Sequence, residues 1–319
     1  MLDATDAALV AALQRDGRAS FQELANEVGI SREAARARVQ RLLDRREVRV
    51  VGIVAPEVVG LGALAHVSVE AVGDSAAAAR VLAGRDAVMF LSRTAGRRQL
   101  VADVRARDAA ALDVELAAIR SAPQVRGIEV VRCVELVKEA YSSNWASSAS
   151  SASSASSPGG REAPARERAA TPAPDERDRA LLALLQRDGR TSYTDLAERV
   201  GLSQAATRAR VLRLIDSGAV HVTGLVASAA VGVREAAGIG IGVEADAGSV
   251  AAAAAAIEGV NFVMTGHGRF DLVCGVDAPD RARLLATLDR LRALPGAVRS
   301  ESWVHLEIVK EDYAQISPI

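Results

Sequence analysis

The first fifty or so residues carry apolar positions at helical spacing in three successive segments. The first segment follows Asp3, which is suited to capping a helix, and ends at Asp16-Gly17. Ser20, with Glu23 three residues later, has the spacing of a capping box and starts the second segment. Ser31 starts the third, in which apolar residues recur three and four positions apart. Two helices joined by a tight turn that contains glycine predict a helix-turn-helix motif.

The pattern then changes to short apolar runs that are typical of strands, with two helical segments among them. A strand at 48–54 leads out of the helices, and the residues that follow it have the order βαββαβ. This order predicts a ferredoxin-like sandwich with both helices on one face of an antiparallel sheet. The predicted strands are 64–72, 88–94, 99–104 and 125–137, and the predicted helices are 74–82 and 108–120. We expect the free apolar face of the sheet to pair with another such domain.

The whole pattern occurs twice, at a constant offset of 172 residues. Gln14-Arg15-Asp16-Gly17-Arg18 recurs from Gln186 to Arg190, and Val137-Lys138-Glu139 recurs as Val309-Lys310-Glu311. No insertion or deletion separates these matches, which indicates a duplication of a unit of about 140 residues. The second copy is predicted to have strands at 220–226, 237–244, 260–266, 270–276 and 297–309, with helices at 249–257 and 280–293.

A segment rich in Ser, Ala and Pro separates the copies and has no hydrophobic periodicity, so it is predicted to be a flexible linker that spans roughly 30 Å. A serine-phosphorylated switch is the alternative interpretation of this segment. The predicted domains are helix-turn-helix at 1–54, ferredoxin-like at 55–141, linker at 142–174, helix-turn-helix at 175–226 and ferredoxin-like at 227–319. The predicted fold class is α+β, with two copies of a helix-turn-helix (winged-helix) module followed by a βαββαβ sensor domain.

Charge is distributed unevenly along the chain. The total is -1, from 39 basic and 40 acidic residues, which argues against nonspecific nucleic-acid binding by the whole surface. Residues 31–49, however, hold seven arginines against three acidic residues, and residues 203–221 have a local charge of +2. An arginine-rich helix after a capped turn suits the major groove of DNA, although a solvated basic face is the simpler alternative. The predicted DNA contacts are Ser31, Arg32, Arg36, Arg38, Arg41, Ser203, Gln204, Arg208, Arg210 and Arg213.

A glycine-containing hairpin, residues 264–272, is the second candidate site. Its glycines would let backbone amides approach a small ligand, and Asp271 could receive an ammonium group. A tight turn with a hydrogen-bonded aspartate explains the same residues equally well. The first copy has Gln99 in place of Asp271, so the two hairpins differ in charge.

Other features argue against catalysis, metal binding and membrane insertion. The acidic start is unlike a signal peptide, and no uncharged stretch reaches the roughly 18–20 residues that cross a bilayer. The four histidines lack metal-ligand spacing, and Cys133 and Cys274 are predicted to be small core residues. The run from Gly238 to Gly242 falls within a predicted strand and lacks the spacing of a nucleotide loop. We therefore expect a soluble cytoplasmic protein that is not an enzyme and has no catalytic residues, metal or cofactor.

These motifs resemble those of the Lrp/AsnC (feast/famine) family of prokaryotic transcription regulators. The segments that resemble its DNA-binding module are Leu2-Asp3-Ala4-Thr5-Asp6, Leu13-Gln14-Arg15-Asp16-Gly17-Arg18, Glu23-Leu24-Ala25, Val28-Gly29-Ile30-Ser31 and Arg38-Val39-Gln40-Arg41-Leu42. The segments that resemble the effector domain of this family are Thr265-Gly266, Phe270-Asp271-Leu272 and Val309-Lys310. The resemblance implies paired sensor domains, further assembly as dimers of dimers, and an amino acid or related metabolite bound between subunits. It implies effector contacts at Thr265, Gly266, Gly268 and Asp271, and the first copy departs there through Ala95 and Gln99.

The predicted function is sequence-specific DNA binding for transcription regulation, modulated by a small metabolite that the resemblance implies is an amino acid. The predicted partners are double-stranded DNA, this effector and, within the chain, a pseudo-dimer of sensor domains open to higher homo-oligomers, with no membrane. Arg36 recurs as Arg208, but Gln204 replaces Arg32, which suits an asymmetric operator. Two alternatives are open. Sirohaem decarboxylases resemble the same two-domain architecture and place histidine and arginine around a tetrapyrrole, and a metabolite sensor could act without binding DNA.

Overall fold

The computed structural model describes residues 2–55, 58, 60–139, 174–226, 232–244 and 246–311. The predicted linker, apart from Pro174, lies outside the described residues. In the first copy the elements are α1 (Ala4–Arg15), α2 (Phe21–Val28), α3 (Arg32–Asp44), β1 (Val48–Val54), β2 (Ala63–Ala71), α4 (Ser75–Ala83), β3 (Val88–Ala95), β4 (Leu100–Ala106), α5 (Ala109–Arg120) and β5 (Val125–Glu139). In the second they are α6 (Glu176–Arg187), α7 (Tyr193–Val200), α8 (Gln204–Asp216), β6 (Val220–Val226), β7 (Glu235–Val243), α9 (Ala247–Ala255), β8 (Val260–Gly268), β9 (Leu272–Ala278), α10 (Arg281–Arg292) and β10 (Ala297–Glu311). The predicted α+β class and the order of elements are confirmed.

The two copies combine part by part into two compact units. The helical unit contains α1–α3 and β1 of the first copy together with α6–α8 and β6 of the second. The barrel unit contains the remaining elements of both copies. No helix among the described residues is long and apolar enough to cross a membrane.

Helix caps in the helical unit form where the sequence predicts them. The side chains of Asp3, Ser20 and Ser31 each accept a hydrogen bond from the backbone three residues on. The Glu23 carboxylate in turn accepts a hydrogen bond from the Ser20 backbone amide, which confirms the predicted capping box. Gly29 ends α2 with a φ of 74°, in the left-handed region that favours glycine.

The strands that leave the two helical modules pair with each other. β1 and β6 form an antiparallel two-stranded sheet, with Val50 opposite Gly224 and Gly52 opposite Val222. A β-carbon on Gly52 would lie 3.1 Å from Cβ of Leu185, so glycine lets α6 of the second copy pack closely on this sheet. Each strand, predicted as a simple exit from its module, is therefore an interface between copies.

Two equivalent arginines reinforce this pairing in opposite directions. Arg18 donates to the carbonyl oxygens of Gly189, at 2.6 Å, and Thr191, at 3.2 Å. Arg190 donates to the carbonyl oxygens of Gly17, at 2.8 Å, and Ala19, at 3.1 Å. Each guanidinium also lies over an aromatic ring of the other copy, Arg18 over Tyr193 and Arg190 over Phe21. The contacts between the two modules are thus reciprocal.

In the barrel unit the two four-stranded sheets close into one barrel, with the strand order β10-β3-β4-β2-β5-β8-β9-β7. This confirms the predicted pairing of ferredoxin-like sheets within the chain. The sheets join where β5 pairs with β8 and where β10 pairs with β3. β5 and β10 run two residues beyond their predicted ends because Glu139 and Glu311 pair with Phe262 and Phe90 of the other copy. The apolar core between the sheets contains Leu64, Val101, Val131, Met264, Phe270, Val273 and Trp303.

Candidate functional site

The predicted DNA contacts lie on the second helix of each helix-turn-helix motif and at its start. The hydroxyl groups of Ser31 and Ser203 cap α3 and α8, accepting hydrogen bonds of 3.1 and 3.2 Å from backbone amides. Arg36 and Arg208 are exposed at equivalent positions, and Arg32 is exposed where the second copy has the exposed Gln204. Side chains of this kind on an exposed helix can contact base edges and phosphates.

The four other predicted DNA contacts anchor α3 and α8 to the first helix of each module. Arg38 Nη1 lies 2.6 Å from an Asp3 oxygen and 2.9 Å from an Asp6 oxygen, and Arg41 Nη2 lies 2.6 Å from the other Asp6 oxygen. The hydrogen bond from Arg38 is the main cause that lowers the pKa of Asp3. Arg210 and Arg213 make the same contacts with Asp175 and Asp178, at 2.7 to 2.9 Å. These arginines have a structural role, and their contact with DNA stays a prediction.

Sequence reasoning missed Asp6 and Asp178, the buried acids on which these contacts converge. Asp6 is 5% exposed and Asp178 is 4% exposed, although both lie on helices. Buried carboxylates are rare unless they are paired. The available signal was an acid at the same position in both copies, on the helix side that is otherwise apolar.

The predicted effector residues cluster at the tip of the hairpin that joins β8 and β9. Thr265 is buried, and Gly266 and Gly268 lie in β8 where it pairs with β5 of the first copy. A β-carbon on either glycine would clash with a backbone carbonyl oxygen of β5. The two glycines therefore permit the close approach of these strands. Their predicted contact with a ligand stays a prediction.

Asp271 and Gln99 hold their hairpins by the same hydrogen bond. A carboxylate oxygen of Asp271 accepts from the Val243 amide at 2.9 Å. The Gln99 side-chain oxygen accepts from the amide of Ala71, the residue equivalent to Val243, at 3.1 Å. This hydrogen bond explains why both copies have an acceptor side chain at this position. It does not require a negative charge, which only the second copy has.

A polar cluster lies inside the barrel, although the histidines show no motif in sequence. His66 Nδ1 lies 2.8 Å from an Asp103 oxygen, and the His66 ring stacks on Trp303 with the ring centroids 5.3 Å apart. Burial, assisted by nearby His66, lowers the pKa of His305 to about 4. Among the described residues, His66 Nε2, Trp303 Nε1 and His305 Nδ1 are buried without hydrogen-bond partners, and no metal-binding group of three ligands is found.

The glycine run from Gly238 to Gly242 lies in β7, as predicted, and makes room for side chains. A β-carbon on Gly238 would clash with the Trp303 indole, and one on Gly240 would clash with the Phe270 ring. The cysteines are free, and burial raises the pKa of Cys133 to about 11 and that of Cys274 to about 12. These residues have packing roles, in agreement with the predictions from sequence.

Protein-family models match both helix-turn-helix modules and the second sensor domain. The AsnC-type helix-turn-helix domain matches residues 2–43 and 175–215, and the Lrp/AsnC ligand binding domain matches residues 237–315. The HTH-type transcriptional regulator LysM of Sulfurisphaera tokodaii is 25% identical over 134 residues, which are 42% of this chain and 96% of that protein. The HTH-type transcriptional regulator FL11 of Pyrococcus abyssi is 27% identical over 140 residues, which are 43% of this chain and 93% of that protein. Each relative is thus matched almost whole by less than half of this chain.

Among solved structures, the siroheme decarboxylase NirDL resembles nearly the whole chain. The match has a TM-score of 0.66 and covers 97% of this chain and 93% of that chain, with 13% sequence identity. At this level of identity the likeness shows a shared fold, with two helix-turn-helix modules and two ferredoxin-like domains arranged along one chain.

Proposed function

Because this chain belongs to the Lrp/AsnC family and carries two AsnC-type helix-turn-helix modules, we propose that one polypeptide supplies a complete pair of DNA-reading helices for transcription regulation. The observation that carries this proposal is the reciprocal pairing of the two modules. β1 pairs with β6 along seven residues, and Arg18 and Arg190 each bind backbone carbonyls of the other module. A regulator with one module per chain would need a second subunit for the second helix.

The two reading helices differ enough in chemistry to favour an asymmetric operator. Arg36 and Arg208 are equivalent and can each pair with a guanine edge through two hydrogen bonds. Arg32 favours guanine or phosphate, whereas Gln204 at the same position favours adenine. Arg38 and Arg210, held by acids and still partly exposed, are suited to phosphate contact.

We test this function with duplexes selected by the full-length chain from a random-sequence library. Enrichment of an asymmetric sequence is expected, and Arg36→Ala or Arg208→Ala should weaken its binding roughly 5- to 150-fold. If the guanidinium binds a phosphate, each variant should reduce the slope of log binding constant against log salt concentration by about one. Arg107→Ala, which changes an exposed arginine of the barrel unit, is the matched control and should bind as the parent does.

Arg38→Ala is a poor probe of DNA contact because it also removes the ion pairs with Asp3 and Asp6. If the selection enriches no sequence, the proposed regulator function is contradicted, and a metabolite sensor that acts without binding DNA is favoured. Parent-like binding by both Arg36→Ala and Arg208→Ala would show that α3 and α8 do not read the duplex.

We further propose that an amino acid modulates DNA binding through the barrel unit. The support is the match of residues 237–315 to a ligand-binding domain of this family, together with the Asp271 carboxylate at the β8–β9 hairpin. The carboxylate has the charge to bind an ammonium group.

A sirohaem decarboxylase-like enzyme is the second candidate, and the His66 imidazole favours it. His66 Nδ1 lies against Asp103 and Nε2 has no partner among the described residues, an arrangement that metal-ligating histidines use. Against this candidate, Trp303 stacks on the His66 ring and itself belongs to the apolar core between the sheets. Incubation of the full chain with sirohaem tests the candidate. A shift of the absorbance spectrum with release of carbon dioxide would replace the regulator as the proposed function.

A further inference from the structure

We propose that each chain binds one amino-acid effector, at the β8–β9 hairpin, because an internal ion cluster closes the equivalent β3–β4 hairpin. This inference rests on the proposed effector role of the barrel unit and specifies its stoichiometry and its location. Neither the family match nor the names of the relatives assigns different roles to the two hairpins.

At the β8–β9 hairpin Phe270 packs on a glycine, Arg269 forms ion pairs with Glu301 and Glu129, and Asp271 has no cation partner among the described residues. Phe270 lies over Gly240, and Arg299 extends over Gly242 to donate to the Arg269 carbonyl oxygen at 2.9 Å. Among the described residues, the Asp271 carboxylate makes one side-chain hydrogen bond, with the Val243 amide, and no ion pair. A half-buried carboxylate of this kind attracts an ammonium group.

The β3–β4 hairpin has a different set of residues at the same positions. Arg98 replaces Phe270, Glu70 replaces Gly242, and Gln99 replaces Asp271. The Arg98 side chain is 18% exposed, forms an ion pair with Glu70, and lies 2.9 Å from an oxygen of Glu129. The hydrogen bond to Glu129 is the main cause that raises the pKa of Arg98.

Both carboxylates of this cluster are paired with arginines, so neither is left to bind a ligand at the hairpin. Arg97 adds a second cation 2.7 Å from Glu129. Gln99 keeps the hydrogen bond to the neighbouring strand but has no charge. An ammonium group could therefore bind only by displacing Arg98 from two carboxylates, which is unfavourable in a partly buried cluster.

Isothermal titration of the full-length chain with each of the twenty standard amino acids tests the inference. The amino acid that binds most tightly is expected to bind with a stoichiometry of one per chain. Asp271→Asn keeps an oxygen for the Val243 amide and removes only the charge, so it should weaken binding by roughly tenfold or more. Gln99→Asp is the matched control in the first copy and should leave both affinity and stoichiometry unchanged, because Arg98 remains in place.

Three results would overturn the inference: two ligands per chain, parent-like affinity in Asp271→Asn, or no binding by any of the twenty amino acids. Circular dichroism of each variant establishes that it is folded. DNA binding is measured separately. If the chain binds one amino acid but no DNA, this inference stands and the proposed regulator function is contradicted. If it binds DNA but no amino acid, the regulator function stands and this inference is contradicted.

Discussion

The helical unit and the barrel unit are both built from two copies of one sequence, but they use the duplication differently. In the helical unit the contacts between copies are reciprocal, as with Arg18 and Arg190. In the barrel unit equivalent positions hold different residues at the shared core. The differing pairs include His66 with Gly238, Asp103 with Gly275, Arg98 with Phe270, Val131 with Trp303 and Cys133 with His305.

The helical unit keeps its two copies equivalent and the barrel unit does not, because the two units have different binding partners. A pair of reading helices meets a duplex whose backbone has approximate twofold symmetry, which favours equivalent placement of the two modules. The two sheets of the barrel unit pack against each other within one chain. A large side chain on one sheet can therefore be matched by a small one on the other. In a homodimer every substitution would enter the interface twice. Trp303, seated over Gly238 and against His66, illustrates this freedom.

The largest effect should come from Trp303, where the asymmetry of the barrel is greatest. Trp303→Ala removes a buried indole and should destabilise the barrel unit by about 3–5 kcal/mol. Gly238→Ala should cost about 1–3 kcal/mol in the parent chain, because the new methyl group meets the indole. In the Trp303→Ala chain the same change should cost almost nothing.

Hydrogen exchange with detection by mass spectrometry measures these effects separately in the two units. Val131→Ala, at the position equivalent to Trp303, is the control and should cost less than Trp303→Ala. Equal costs for Trp303→Ala and Val131→Ala, or additive costs for Trp303→Ala and Gly238→Ala, would show that the barrel does not depend on this asymmetric contact.

The next effect depends on pH and on His305, whose counterpart Cys133 does not titrate in the acidic range. Burial lowers the pKa of His305 to about 4, below the roughly 6.5 of an unfolded histidine. The unfolded chain therefore takes up this proton first, and stability should be lost as pH falls from about 6.5 to 4. The loss attributable to His305 should be about 2–3 kcal/mol, and His305→Gln should remove it.

Asp277 provides an internal contrast of opposite sign in the same barrel. Burial raises its pKa to about 6, so its contribution to stability increases as pH falls from 6 towards 4. Urea unfolding between pH 4 and 7 should therefore show a steeper acid loss in Asp277→Asn and a shallower one in His305→Gln. A parent-like slope in His305→Gln would contradict the assignment.

Local spacing is enough to predict most of the elements, because caps and periodicity act over a few residues. Ser20 and Glu23 predict the start of α2, and the strands at 48–54 and 220–226 form with those limits. What local spacing does not contain is the partner of each strand. The pairing of β1 with β6, and the extension of β5 to Glu139, both depend on contacts between copies.

The candidate sites were predicted less completely because residue type does not reveal which contacts a side chain makes. Arg38 and Arg36 differ little in sequence context, yet Arg38 is paired with two acids. Gly266 and Gly268 suggest a ligand loop, and their spacing is equally required by the approach of β5. Comparison of the copies supplies part of the missing information, since Gln99 and Asp271 share one hydrogen bond and differ in charge.

The smallest effect should come from the buried acids of the helical unit, and it should be equal in the two copies. Asp6→Asn and Asp178→Asn each weaken ion pairs with two arginines, and each should destabilise its own module by about 1–3 kcal/mol. Because the contacts match to within about 0.1 Å, hydrogen exchange in α1 and α3 should respond to the first variant as α6 and α8 respond to the second. A difference above about 1 kcal/mol would show that the helical unit, like the barrel, has lost the equivalence of its two halves.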